Sequence, residues 1–287
     1  MSAYDILIKP LVRRMDLEKA SMISLRYFRL VGRLPLGRWL TRCLYRNRPT
    51  ILQKEVFGIQ FNHPIGLGAG LDIHGELYND LGNLGFSFVE MGPMDAAGIR
   101  RALRHLHEDP KHNILAACIA TDYLTAFTLA YDFCDFFVVE LPEDFSTDQV
   151  GPLLDARIAE PVYRPIVLKI PPTLTGNQLE DIVGYCRLNS IDGIETRDLN
   201  QLKHIHELSK GRLALIANNH IDTPEQALEA LNAGAALIEV RTGLVREGPG
   251  IVRRILKRLQ KAGDQTQSVT KTSNDETENT IQDCLDA

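Results

Sequence analysis

From about Phe57 to Leu259 the chain repeats one unit: a short apolar run, a polar or glycine-rich turn, then a segment with apolar positions three and four apart. Eight apolar runs can be counted, Pro64–Gly70, Phe86–Gly92, Asn113–Ala120, Phe136–Pro142, Ile166–Pro172, Gly193–Arg197, Leu213–Asn218 and Leu237–Gly243. They are continuous rather than alternating, the pattern of parallel strands buried on both faces. The segments between them, for example Gly75–Leu84, Thr121–Phe133, Gly176–Asn189 and Pro224–Ala233, carry the period of amphipathic helices. Eight such units in succession predict an α/β fold, a closed (β/α)8 TIM-type barrel, with its chemistry at the carboxyl ends of the strands. A doubly wound open sheet is the alternative and normally needs fewer strands.

Residues 1–50 have a different pattern and predict a small helical hairpin in front of the barrel. Asp16 can cap a helix in which Leu17, Ala20, Ile23, Tyr27, Leu30 and Val31 recur at helical spacing. Pro35 suits the first turn of a second helix, with Leu36, Trp39, Leu40, Cys43 and Leu44 on one side and Arg38, Arg42 and Arg46 on the other. Two readings stay open. The hairpin packs on the barrel with its arginines in water, or it lies on a membrane surface as a basic amphipathic element carrying the only tryptophan.

Charge sharpens the contrast. Residues 1–50 hold eleven Lys/Arg against three acids, while the whole chain of 287 residues carries a net charge of -5. The acidic balance of the remainder argues against a nucleic-acid partner. Five widely spaced cysteines form no metal-ligand pattern and read as reduced thiols of a cytoplasmic protein. No stretch has the apolar length of a membrane span, so any membrane contact is expected to be peripheral. Residues 51–262 form the predicted barrel, and 263–287, rich in Thr, Ser, Asn and acids without an apolar period, are expected to be disordered.

The first strand runs into GLGAGLD, where the glycines serve either a tight turn or a group lying close to the backbone. A phosphate-loop Lys-Ser/Thr pair is missing, so a triphosphate is not indicated. The fifth strand, PIVLKIPP, places Lys169 in an apolar run, where it either reaches water or aims a positive charge at a ligand. The seventh and eighth strands end in ANNHIDTPEQ and RTGLVREGPG. Loops at these places commonly make a phosphate site, and Asn218, Asn219, His220, Thr242 and Gly243 are donors there. Arg241 and Arg246 add charge that can pair with an anion, and Asp222 reads as a helix N-cap.

The stretches FGIQFNHPIGLGAGLDIHGE, LGNLGFSFVEMG, LKIPPTLT, IDG, IDTPEQALEALNAGAALIEV and GLVREGP together resemble the quinone-dependent (class 2) dihydroorotate dehydrogenases. The resemblance runs from the N-terminal helices to the last helix. It implies an FMN-containing barrel, with a helical pair at the inner membrane face guarding the quinone's entrance. Such enzymes oxidise dihydroorotate to orotate in pyrimidine synthesis, passing hydride to flavin and electrons to quinone. It also implies FMN contacts at Ala69, Gly70, Lys169, Asn219, His220, Thr242 and Gly243.

The resemblance breaks at the reacting centre. Ile73 stands where the family has the lysine of AAGLDK, and the run with substrate-contacting asparagines after the second strand is missing. Asp122 stands at the asparagine after the third strand. VVELPED replaces NISSPNT, with Leu141 at the catalytic serine and Val138 and Glu143 at asparagines. Asp198 falls near another substrate-binding asparagine, Asn219–His220 replace a glycine pair, and Arg241 replaces a tyrosine. No catalytic residue and no metal ligand is assigned. Losing a general base costs on the order of 100- to 10,000-fold in rate. Three readings follow: a barrel without dihydroorotate oxidation, an active flavoenzyme whose base is Glu140, Glu143, Glu195 or Asp198, or a barrel holding another small anionic ligand.

Overall fold

The computed structural model describes residues 3–34, 36–45, 52–218 and 221–264. A short antiparallel hairpin of β1 (Lys54–Val56) and β2 (Ile59–Phe61) precedes the barrel. The eight barrel strands are β3 (Ile65–Leu67), β4 (Phe88–Met94), β5 (Ile114–Ile119), β6 (Phe136–Glu140), β7 (Ile166–Lys169), β8 (Gly193–Thr196), β9 (Ala214–Ala217) and β10 (Leu237–Glu239). Each pairs in parallel with the next, and β10 closes onto β3. The (β/α)8 expectation holds, with shorter strands. The last predicted strand stops at Glu239, and Thr242 and Gly243 begin a helix instead.

Alternation divides the side chains into two sets. Ile65, Val89, Leu115, Phe137, Val139, Leu168, Ile194, Leu215 and Ile238 face the helices and form the larger apolar cluster. The inward set is aromatic at the amino end and charged toward the carboxyl end. Phe61 from β2 packs edge-on to Phe88, with ring centres 5.4 Å apart, and Phe57 lies 5.9 Å from Phe136. The hairpin thus plugs the bottom of the barrel with aromatic rings.

The outer helices are α5 (Tyr78–Gly82), α6 (Ala96–Glu108), α7 (Tyr123–Ala130), α8 (Gly151–Ala159), α9 (Asn177–Leu188), α10 (Leu199–Ser209), α11 (Pro224–Asn232) and α12 (Thr242–Glu247), followed by a helix over 250–264. Thr223, not Asp222, caps α11. Its hydroxyl accepts from the backbone N–H of Gln226, and the Gln226 side chain accepts from the Thr223 N–H. Apart from 263 and 264, the expected disordered tail lies outside the described residues, as do Asn219, His220 and Pro35.

Four N-terminal helices, α1 (Ala3–Leu7), α2 (Lys9–Val12), α3 (Leu17–Arg33) and α4 (Gly37–Tyr45), pack against α5 and α12. Asp16 caps α3 by accepting from the Lys19 N–H at 2.9 Å. The buried Tyr4 hydroxyl donates to Val245 O at 2.5 Å and lies 2.8 Å from Ser24 Oγ. Lys9 and Arg13 pair with Glu247 at 2.8 and 2.9 Å.

On α4, two of the arginines expected in water reach acceptors on the barrel, Arg38 while still partly exposed, and Arg46 lies outside the described residues. Arg38 pairs with Asp80 at 2.7 Å and Asp109 at 2.8 Å, and Arg42 Nε donates to Asn83 Oδ1 at 3.1 Å. The apolar side chains Leu36, Trp39, Leu40 and Leu44 are left 75%, 62%, 51% and 57% exposed.

Candidate functional site

Four of the inward positions hold single glutamates set in apolar strands: Glu90 on β4, Glu140 on β6, Glu195 on β8 and Glu239 on β10. Glu90, Glu195 and Glu239 are fully buried, and Lys169 from β7 enters the same space. Lys169 Nζ lies 3.1 Å from Glu195 Oε1 and 3.9 Å from Glu90 Oε1. Asn218, at the end of β9, donates its amide to the same Glu195 oxygen at 2.7 Å. Lys169 therefore does point into the barrel, but its charge is committed to carboxylates.

Charge balance decides the protonation of this group. Burial disfavours the Lys169 ammonium, yet Glu195 and Glu90 outweigh burial and hold it protonated above its ordinary range. Burial and the neighbouring Glu90 raise Glu195 to about 7, against the opposing pull of Lys169. Burial, with Glu195 and Glu90 beside it, raises Glu239 well above the carboxylate range. Among the described residues, Glu90 and Glu239 have no hydrogen-bond donor as bare carboxylates, and a proton on Glu239 supplies one.

The three carboxyls offer oxygens within 4.8 Å of one another, a spacing a cation can bridge. Lys169 already places positive charge inside that group, and the proton on Glu239 removes one negative charge.

Above this layer, Arg197 and Arg241 continue the inward parity of β8 and β10 to the barrel mouth. Arg197 reaches Glu140 at 3.5 Å, and Arg241 Nη1 donates to Ala69 O at 3.5 Å. Burial, with Arg197 nearby, lowers the pKa of Arg241 from its ordinary value.

The glycines of GLGAGLD are explained by these neighbours. A Cβ on Gly68 would fall 2.6 Å from Glu239 Oε2. Gly70 turns at φ +103, where L side chains are strained, and a Cβ there would fall 2.7 Å from Arg241 Nη1. The surface over Ala69–Gly70 is therefore lined by an arginine. Asp72, just beyond, is buried and accepts from the N–H groups of Glu76 and Leu77, both at 2.9 Å, holding the turn.

The family model for dihydroorotate dehydrogenase matches residues 190–262. The dihydroorotate dehydrogenase (quinone) of Christiangramia forsetii is 24% identical over 91% of this chain and 99% of its own length. That of Nostoc punctiforme is 26% identical over 90% and 94%. The chain is a divergent relative of the dihydroorotate dehydrogenases. The ligand-free DHODH structure from Eimeria tenella agrees in fold, with a TM-score of 0.69 at 19% identity, covering 88% of this chain and 96% of that one. The DHODH of the same organism in complex with ferulenol gives 0.67 at 18% identity, over 81% and 91%.

Within this dihydroorotate dehydrogenase relative, the positions that the resemblance marks are dispersed. Leu141 belongs to the outer apolar cluster, is 4% exposed, and donates its N–H to Lys169 O at 2.9 Å. Val138 faces inward in the small interior cluster. Ile73 is 47% exposed. Asp122 sits at φ +51 before α7 and makes no side-chain capping bond. Thr242 donates its hydroxyl to Asp222, which also meets Arg246 at 3.5 Å, and Gly243 packs on Ile221 O. Of the four candidate bases, Glu195 and Glu140 face the interior. Asp198 accepts from the Gln201 N–H to cap α10, and the exposed Glu143 accepts from Thr173.

Glu90 and Glu239 were not marked by the sequence reading. Their signal was present: a lone glutamate inside an apolar strand, FVEMG and LIEVR, is a residue type almost never fully buried unless paired.

Proposed function

We propose that this chain keeps the barrel of the dihydroorotate dehydrogenases without their oxidation of dihydroorotate. One observation carries the reading: Arg241 lies against Gly70, the surface that the family resemblance gives to the flavin ring. The remaining contacts point the same way. Lys169 is held by Glu195 and Glu90, and position 141 carries a leucine that belongs to the layer outside the barrel. A planar flavin in this seat would have to displace the Arg241 guanidinium and lie over a layer of carboxyls.

Purified protein incubated with FMN tests this. The expected result is no retained visible flavin absorbance after desalting and no dihydroorotate-dependent quinone reduction. A yellow, active preparation refutes the proposal and restores the flavoenzyme reading, with Glu195 as its base. A carboxyl near 7, buried one layer below the barrel mouth, has a pKa suited to general base catalysis near neutral pH.

A second reading is favoured by the two arginines at the mouth. Arg197 and Arg241 lie near enough for the charge of one to depress the pKa of the other, and loops at this end of a barrel commonly hold anions. A small anionic ligand there would relieve that repulsion, with Asn219 and His220 as further donors. Loss of a phosphate-ester-induced rise in unfolding temperature in Arg241→Ala is its expected signature, and an unchanged rise refutes it.

The uncovered apolar side of α4 supports peripheral contact with a membrane surface. Among the described residues, no helix is long and apolar enough to cross a membrane.

A further inference from the structure

The carboxyl layer below the mouth holds more acceptors than donors. Glu90, Glu195 and Glu239 come from three different strands, and each brings an oxygen within 4.8 Å of the others. Of their six carboxylate oxygens, Glu195 Oε1 is answered by the Lys169 ammonium at 3.1 Å and the Asn218 amide at 2.7 Å. The other five are both oxygens of Glu90, both of Glu239 and Oε2 of Glu195. They are buried and have no hydrogen-bond partner among the described residues.

A proton on Glu239 does not close this deficit. A protonated carboxyl gives a single O–H donor. It covers its own oxygen and one acceptor, which leaves three of the five oxygens bare. Burial makes each unanswered acceptor costly. Charge falls short as well. Three carboxylates face one ammonium, and with that proton in place one negative charge is still left over. A divalent cation in place of the proton balances the group together with Lys169, and it coordinates several oxygens where a proton bridges two.

Spacing and donor chemistry both suit such an ion. A cation midway between two oxygens 4.8 Å apart lies about 2.4 Å from each, within calcium's range of about 2.3–2.6 Å. An all-carboxylate donor set favours calcium, manganese or magnesium over metals that seek thiolate or imidazole. Gly68 keeps one flank of Glu239 clear, since a Cβ there would fall 2.6 Å from Oε2. We propose that Glu90, Glu239 and Oε2 of Glu195 bind one divalent cation of this oxygen-preferring class. Lys169 and Asn218 hold Oε1 of Glu195 and so turn its other oxygen toward the ion. The site lies below the mouth and does not depend on the reading given to Arg241.

The full chain, stripped with chelator and equilibrated with Mn2+ alone, tests the assignment. It should take up one equivalent saturably, read as loss of the free ion's paramagnetic resonance signal, with a matching rise in unfolding temperature. Glu90→Gln and Glu239→Gln should each lose that equivalent. Before metal is added, the unfolding temperature of Glu90→Gln should equal or exceed that of the parent, since a buried negative charge is gone. Its lost binding is then not a lost fold. Glu225→Gln, which changes an exposed carboxylate elsewhere on the surface, should keep the equivalent. No saturable uptake by the parent, uptake that survives in both Glu90→Gln and Glu239→Gln, or uptake that disappears in Glu225→Gln overturns the assignment.

Discussion

Lys169 meets Glu195 at 3.1 Å inside the barrel, and both side chains are almost completely shielded from water. Around them stand Glu90 and Glu239, so one ammonium faces three carboxyls. Such a group is tolerable only if protons remove part of the negative charge, which is what the raised Glu195 and Glu239 accomplish. The barrel interior is thus a self-neutralising polar layer above an aromatic plug.

Removing the ammonium should therefore be severe. Lys169→Met leaves the carboxyls without a counter-charge, and breaking a buried pair from one side typically costs about 3–5 kcal/mol. Urea unfolding at pH 7.5 should register a loss of that size. The double variant Lys169→Met/Glu195→Gln should recover part of it, because the stranded charge goes too. A single variant as stable as the parent would mean that Lys169 carries no such burden.

The same layer sets a pH dependence. Glu195 titrates at about 7 in the folded protein against an ordinary 4.5. Between those values the folded chain holds a proton that the unfolded chain releases, so this group's contribution falls as pH rises through the window and is flat above it. His63 acts in the opposite sense. Burial lowers its pKa to about 4 from 6.5, so its contribution grows as pH rises over that range. The two overlap, and a variant separates them. Unfolding temperatures from pH 5 to 8 should fall more steeply toward neutrality, or rise less, in the parent than in Glu195→Gln. Parallel curves would assign the dependence to other groups.

The barrel was legible because eight apolar runs separated by helical periods leave few alternatives. Strand limits were less so: Val240, Arg241 and Thr242 read as a continuation of β10, but the chain leaves the sheet after Glu239 to start α12. The direction of α4 was also hidden. Its two faces were visible in the spacing, but which one meets the barrel is decided by Asp80, Asp109 and Asn83, acceptors that lie more than forty residues away for Arg38 and Arg42. Glu195 and Lys169 could each be picked out as odd residues in apolar strands. Their pairing could not, because it depends on the register between β7 and β8, which sets Lys169 beside Glu195.

Position 141 offers a direct test of the proposal that this chain does not oxidise dihydroorotate. The leucine belongs to the apolar layer between strands and helices, so a serine there would have no substrate to face. Leu141→Ser should show no dihydroorotate oxidation, with or without added FMN. It should also lose about 2–5 kcal/mol of stability, as large-to-small changes in packed cores do. Activity gained by this one substitution would show that the cavity still accepts the substrate.

The uncovered face of α4 carries the last prediction. Arg38 and Arg42 turn toward the barrel, so Leu36, Trp39, Leu40 and Leu44 are presented outward together, a patch that water does not favour. Other basic residues of the N-terminal region, Arg26 and Arg33 on α3 among them, are exposed and favour an anionic interface. Trp39 is the chain's only tryptophan, so its emission reports on this helix alone. It should shift to the blue on mixing with phosphatidylglycerol vesicles and shift less with phosphatidylcholine vesicles. Added salt should weaken the first response, because exposed charges are screened over about 10 Å at 0.1 M. Leu40→Glu should abolish the shift while leaving the barrel's unfolding temperature unchanged. Equal shifts with both lipids would leave apolar burial as the driving force and remove the arginines from it, and no shift with either would remove the membrane from the function of this hairpin.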